Sequence, residues 1–176
     1  MRLPITPLSL FALLPLTFAQ SNTTTPSNGI GSSPADRHYI TLSQAQTIID
    51  SSMANATAIG VPQNIAIVDP SGLLVAFARM DNAYPGSIDI SMKKARTSVL
   101  FNGGTSASYY SAAEPGGSVY AIEETNGGLV VFGGGLPIYV DGFLIGAVGV
   151  SGGTVPQDVE VASAGVEGLG ASISLR

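Results

Sequence analysis

The segment from Gly127 to Gly153, GGLVVFGGGLPIYVDGFLIGAVGVSGG, constrains this chain more than any other stretch. Short apolar runs alternate with glycine clusters and a single Asp-Gly turn. Such a segment reads as small strands joined by tight reversals, because glycine lets backbones approach closely and turn sharply. Glycine clusters also expose main-chain N–H groups, which can converge on an anionic group and form a pocket without reactive side chains.

The beginning of the chain reads differently. Arg2 precedes an apolar run from Leu8 to Leu16, and Thr17-Phe18-Ala19 has the small residues of a processing site. Met1 to Ala19 is therefore expected to be a secretory signal peptide, with secretion of the rest. Residues 20–38 form a leader rich in Ser, Thr, Asn, Pro and Gly in its first part, and residues 39–176 form the domain. Asn22 and Asn55 each begin an Asn-X-Thr glycosylation acceptor, and a helix around Asn55 would hide the second.

The chain has no cysteine, so its stability rests on packing rather than disulfides, with subunit contacts a further source. Twelve acidic residues against seven basic ones argue against a broad nucleic-acid surface. The local exception, Lys93, Lys94 and Arg96 beside Asp89, reads as a solvated helix face. No apolar stretch after the leader is long enough to span a membrane.

Thr41 and Gln44 have the spacing of a capping box, and Ala45, Ile48, Ile49, Met53, Ala56 and Ile59 follow at helical intervals until Gly60. Asn64 to Val68 and Leu73 to Arg79, joined by Asp69-Pro70-Ser71-Gly72, predict a hairpin. A second helix is expected from Ser87 to Phe101, with Ile88, Met92, Ala95 and Val99 buried. Short helical pieces follow around Ser106–Tyr110 and Val119–Glu124. Leu129–Phe132, Leu136–Val140 and Leu144–Val150 then predict three more strands, the last two joined by Asp141-Gly142. A final helix begins at Pro156, with Val159, Ala162, Val166 and Leu169 on its apolar face. The fold class is α/β (α+β): a five-stranded antiparallel sheet flanked by helices.

Chemistry has few candidates. Gly133, Gly134 and Gly135, with Ser151 and Gly152, offer amides for an anionic group or else simple bulges and junctions. Arg79 could meet a ligand carboxylate or pair with Asp81. Glu124 and Glu123 are the candidate acid or base, and Asn126 is a ligand contact or a turn cap. Tyr84, Tyr109, Tyr110 and Tyr120 could line an aromatic pocket or fill gaps between helices. His38, the one histidine, lacks the companions of a zinc site and reads as a surface residue, the alternative being a haem-iron ligand on a mobile segment. No nucleotide-binding glycine motif and no Ser-His-acid set is legible.

The order of LSQAQTIID, IAIVDPSGLLVAFARMDNA, SIDISMKKA and the glycine-rich segment, followed by Gln157-Asp158, resembles the GlcG/HbpS family of haem-binding or haem-degrading domains. That resemblance implies a profilin-like fold, assembly into homo-oligomers, and haem as a cofactor or ligand, with some members promoting haem breakdown. It assigns no iron ligand or other metal residue. The chain departs from the commoner family wording at Met92-Lys93-Lys94 and across Thr105–Tyr120. Three functions are therefore open: a secreted protein binding haem or a related planar carboxylate-bearing molecule, a cofactor-independent acid/base enzyme using Glu124 or Glu123 on a small carboxylate, or an oligomeric interaction domain.

Overall fold

The computed structural model describes residues 34–174. The expected signal peptide, most of the leader and the Asn22 acceptor lie outside the described residues. Helix α1 spans Leu42–Ala58, strand β1 Asn64–Val68, strand β2 Leu74–Arg79 and helix α2 Ser87–Leu100. After a 3-10 turn at Ser106–Tyr109 come helix α3, Tyr110–Ala113, and a second 3-10 turn at Ile122–Glu124. Strands β3, Gly135–Val140, and β4, Phe143–Ser151, precede helix α4, Val155–Gly168.

Each boundary has a local cause. At the start of α1 the Gln44 side chain accepts from the Thr41 N–H while the Thr41 hydroxyl accepts from the Gln44 N–H, so the expected capping box forms. Thr154 and Gln157 repeat the device at α4, where Gln157 Oε1 accepts from the Thr154 N–H. Between β3 and β4, Val140 pairs with Phe143 and both turn residues, Asp141 and Gly142, have positive φ. That conformation suits the twist of a two-residue hairpin.

The sheet has four antiparallel strands in the order β2-β1-β4-β3. The expected fifth strand, Leu129–Phe132, is buried at Leu129, Val130 and Val131 and half-buried at Phe132, and it pairs with no strand. Its polar groups go elsewhere: Leu129 N–H donates to the Glu123 carbonyl, Val130 N–H to Thr97 Oγ1, and the Phe132 carbonyl accepts from Ser106 Oγ. An apolar run with its backbone satisfied by helix and turn groups gains nothing from joining a sheet.

Helices α1 and α4 cover one face, where Ile65, Ile67, Val148, Val150, Leu136 and Ile138 meet Ile48, Ile49, Val161 and Val166. Helix α2 covers the other face through Ala95 and Val99 against Val68 and Ala147. The sheet surface under α2 is small: Ala66, Ala147, Gly149 and Gly135 share that side by register. A Cβ at Gly149 would strike the backbone of Ser91 and Ala95, and one at Gly135 would strike the backbone of Lys94. The helix thus lies unusually close to the strands.

This close approach changes which face of α2 is buried. Ser91, Lys94, Ala95, Thr97, Ser98 and Val99 are buried, whereas the expected Ile88 and Met92 are only half-buried. Lys94 does not belong to a solvated face; it is fully buried, while Lys93 pairs outward with Asp89. In α4 the buried stripe is Asp158, Val161, Ala162, Gly165 and Val166, with Val159 and Leu169 at its margin. Asn55 lies within α1, and its side-chain oxygen is buried, as a helix over that acceptor implied.

Candidate functional site

Register places most of the expected site residues at one end of the sheet. Asn64 pairs with Arg79 on one side and with Ser151 on the other, and Gly134 accepts from Val150 just beyond. Arg79 and the 133–135 glycines therefore lie three strand spacings apart, roughly 14 Å at about 4.8 Å per strand. They share an end but not a cavity.

A pocket of about 500 Å³ is lined by Ala107, Tyr110, Ser111, Phe132, Gly133 and Val155. Its volume falls within the roughly 300–1,000 Å³ of small-ligand sites, and its walls are chiefly apolar, with two hydroxyls. The short elements after α2 supply Ala107, Tyr110 and Ser111, the unpaired apolar run supplies Phe132, and α4 begins with Val155. Gly133 is required where it stands, since a Cβ there would come within 2.9 Å of both Val155 and Val159. Tyr110 is the aromatic hydroxyl that the structure brings to this pocket. Tyr84 and Tyr120 are exposed elsewhere, and Tyr109 packs on Phe101 with ring centroids 4.9 Å apart.

Two of the glycine amides are engaged within the protein. Gly135 N–H donates to Ser106 Oγ at 2.9 Å, and Gly153 N–H donates to Asp158 Oδ1 at 2.9 Å. Ser151 ends β4, and Gly152 is packed against Pro62 and Gln63. Arg79 and Asp81 line a separate polar pocket of about 330 Å³ with Met80 and Asn82. Among the described residues they form no ion pair with each other. Glu123 and Glu124 are exposed on the 3-10 turn and line neither pocket. Asn126 has a φ of 55°, and its carbonyl accepts from Arg96 at 3.0 Å, which is the turn role rather than a ligand contact.

Behind the apolar pocket lies a pair not anticipated from the sequence. Lys94 Nζ is 2.6 Å from Asp158 Oδ2, donates to the Val150 carbonyl at 3.0 Å, and sits 4.7 Å from the centroid of the Phe132 ring. Lys94 is 0 % exposed and Asp158 2 %. Burial holds the Lys94 ammonium below its ordinary value of 10.5, against the opposing hydrogen bond and charge of Asp158. The available signal was helical phase: Asp158 is three residues before Val161 and four before Ala162, on the apolar stripe of α4.

Metal ligands are sparse. Among the described residues no three His, Cys, Asp or Glu side chains gather. His38 is stacked on Phe143 with ring centroids 3.9 Å apart, at the opposite end of β4 from Ser151. At about 3.3 Å per residue that strand separates them by roughly 26 Å, so His38 is remote from the apolar pocket. No described helix is long and apolar enough to cross a membrane.

Comparison with known proteins adds four findings. A family model described as "Haem degrading protein HbpS-like" matches residues 40–167. A 15.0 kDa uncharacterized protein from the dhaT-dhaS intergenic region of Citrobacter freundii is 44% identical over 120 residues, 68% of this chain and 84% of that protein. The corrinoid adenosyltransferase PduO of the same organism is 36% identical over 115 residues, 65% of this chain but only 34% of PduO. Among solved structures, a PduOC–haem complex superposes with a TM-score of 0.72, at 29% identity over 77% of this chain and 98% of that one.

Proposed function

The chain belongs to the HbpS-like family of haem-degrading proteins, and from that premise we propose that it binds haem, or a related planar carboxylate-bearing molecule, in the apolar pocket between α3, Phe132 and α4. The observation that carries this reading is the likeness to a structure solved as a complex with haem, over nearly the whole of that chain. The pocket supports it chemically. Phe132, Val155 and Ala107 offer apolar walls to a flat ring system, and Tyr110 offers a phenol oxygen.

The residues present suit the group. A tyrosine oxygen is an established kind of ligand for haem iron, so Tyr110 would hold the iron and Ser111 would donate to a neighbouring polar group. Haem, when bound, supplies the redox centre that any breakdown of the macrocycle needs. The protein's own share is to bind the ring, orient it and exclude water from one side. Corrinoid adenosyl transfer does not enter this proposal, because the shared region is a third of PduO.

Haemin titration of the purified chain tests the assignment. Saturable binding is expected, with a charge-transfer band of phenolate ligation that disappears in Tyr110→Phe while the Soret band remains. An unchanged spectrum in that variant would remove Tyr110 from the iron.

Export through Met1–Ala19 and self-association along the free edge of β2, where Leu73 and Leu74 are exposed, complete the proposal. Native protein recovered from the medium should begin at Gln20 and sediment as an oligomer. A monomer retaining Met1 would refute both parts.

A further inference from the structure

A lysine and an aspartate at zero or near-zero exposure are expensive to bury, and an apolar pair of similar volume commonly does as well or better for stability. The location of this pair points to another use. Lys94 comes from α2, Asp158 from α4, and the Val150 carbonyl that shares the ammonium from the end of β4. Through its second oxygen Asp158 also holds Gly153. The ammonium approaches the Phe132 ring, and Phe132 with Gly133 lines the pocket.

Gly134 makes this arrangement possible. A Cβ at that position would lie 2.8 Å from Lys94 Nζ, 2.6 Å from the Val150 carbonyl oxygen and 3.0 Å from the Asp158 Cβ. The pair, the glycine and the ring therefore form one packed unit, and Phe132 is the member of it that lines the pocket. An ammonium held against an aromatic ring is attracted by the ring's quadrupole, and the attraction grows when both are desolvated.

We propose that Lys94 and Asp158 are the positioning residues of the pocket: they fix Phe132 as an aromatic floor with an ammonium behind it, selecting a flat, electron-rich ring system that stacks on Phe132. This rests on the haem-class reading above and deepens it. Neither residue touches the ligand. The ring does, and the pair acts through the ring.

The test uses the full chain and two probes, haemin and metal-free protoporphyrin, the second being blind to iron ligation. The variant Lys94→Met/Asp158→Leu removes both charges together, and circular dichroism with thermal melting establishes that it is folded. Its affinity for metal-free protoporphyrin is expected to fall up to about tenfold, the size of the aromatic stacking contact that a misplaced Phe132 ring would lose. Phe132→Leu should cause a similar loss alone and little further loss in the double-variant background, because the pair works through the ring.

Wild-type affinity in the folded double variant would overturn the proposal while leaving haem binding intact. Independent, multiplying losses for the pair and the ring would also overturn it. Failure of the wild-type chain to bind either porphyrin would instead remove the functional reading, and this inference with it.

Should the double variant not fold, Asp158→Asn decides the matter. It keeps the shape and an acceptor for Gly153 but removes the counter-ion of Lys94. No other charged group is placed against Lys94 from α2, α4, β3, β4 or the Phe132–Gly135 segment among the described residues. Protoporphyrin affinity should then fall with rising pH from a lower pH than in the wild type, because the ammonium without its counter-ion loses its proton more readily. Matching profiles for the two proteins would overturn the proposal.

Discussion

A buried ammonium persists only while its counter-charge stays beside it, and this makes Lys94 a sensitive position in the domain. Lys94→Met leaves Asp158 buried without its partner, and the expected loss is about 3–5 kcal/mol in denaturant unfolding. Lys94→Met/Asp158→Leu should recover most of it, which a chemical melt of the two variants side by side will show. The pH dependence has a definite sign. The folded-state pKa of Lys94 lies below 10.5, so between that value and 10.5 the unfolded chain binds more protons than the folded one. Stability from this residue therefore rises with pH across that interval. Tyr139 acts in the opposite direction, because burial raises its pKa above 10.0 and stability falls once pH passes that value. The difference between wild type and the double variant cancels the tyrosine and should retain a positive slope below 10.5; a flat or negative difference would contradict the desolvation of Lys94.

Among the elements, α2 shows how glycine on a strand shapes the helix above it. Gly135 and Gly149 lie side by side on β3 and β4 and admit the α2 backbone, so the helix turns small and polar residues inward. Gly149→Ala places a methyl group on the backbone of Ser91 and Ala95, and overpacking of that kind costs about 1–3 kcal/mol or more. A thermal melt unchanged by this substitution would mean that α2 can lift off the sheet freely. The helix ends and hairpins were legible in the sequence because their signals are local: Thr41 with Gln44, Asp141 with Gly142, the turn after Val68. The buried face of α2 was not. An amphipathic reading ranks Ile88 and Met92 above Ser91 and Lys94, and only the tertiary contact with two strand glycines reverses that order. Leu129–Phe132 was misread for a related reason, since apolar composition predicts burial but not whether the backbone finds a strand partner.

For the molecule as a whole, four strands rather than five carry the site at one end of the sheet, with the chain between α2 and β3 folded over it. The sequence pointed to Gly133 and to the aromatic residues before it, but not to their meeting Val155 at the start of α4, a contact between distant segments. It also grouped Arg79 and Asp81 with the glycines, where the structure separates them by the width of the central strands. Motif order from about Thr41 to Leu169 nevertheless carried the family resemblance, and the family model matches residues 40–167. The proposed seat of the ligand is Phe132, rather than Arg79 or the acidic 3-10 turn. Absorbance titration of haemin into the full chain, repeated with Phe132→Leu and Arg79→Ala, separates these sites most directly. The prediction is a saturable Soret shift that weakens up to about tenfold in Phe132→Leu, through lost aromatic stacking, and is preserved in Arg79→Ala; loss in Arg79→Ala with full binding in Phe132→Leu would contradict it.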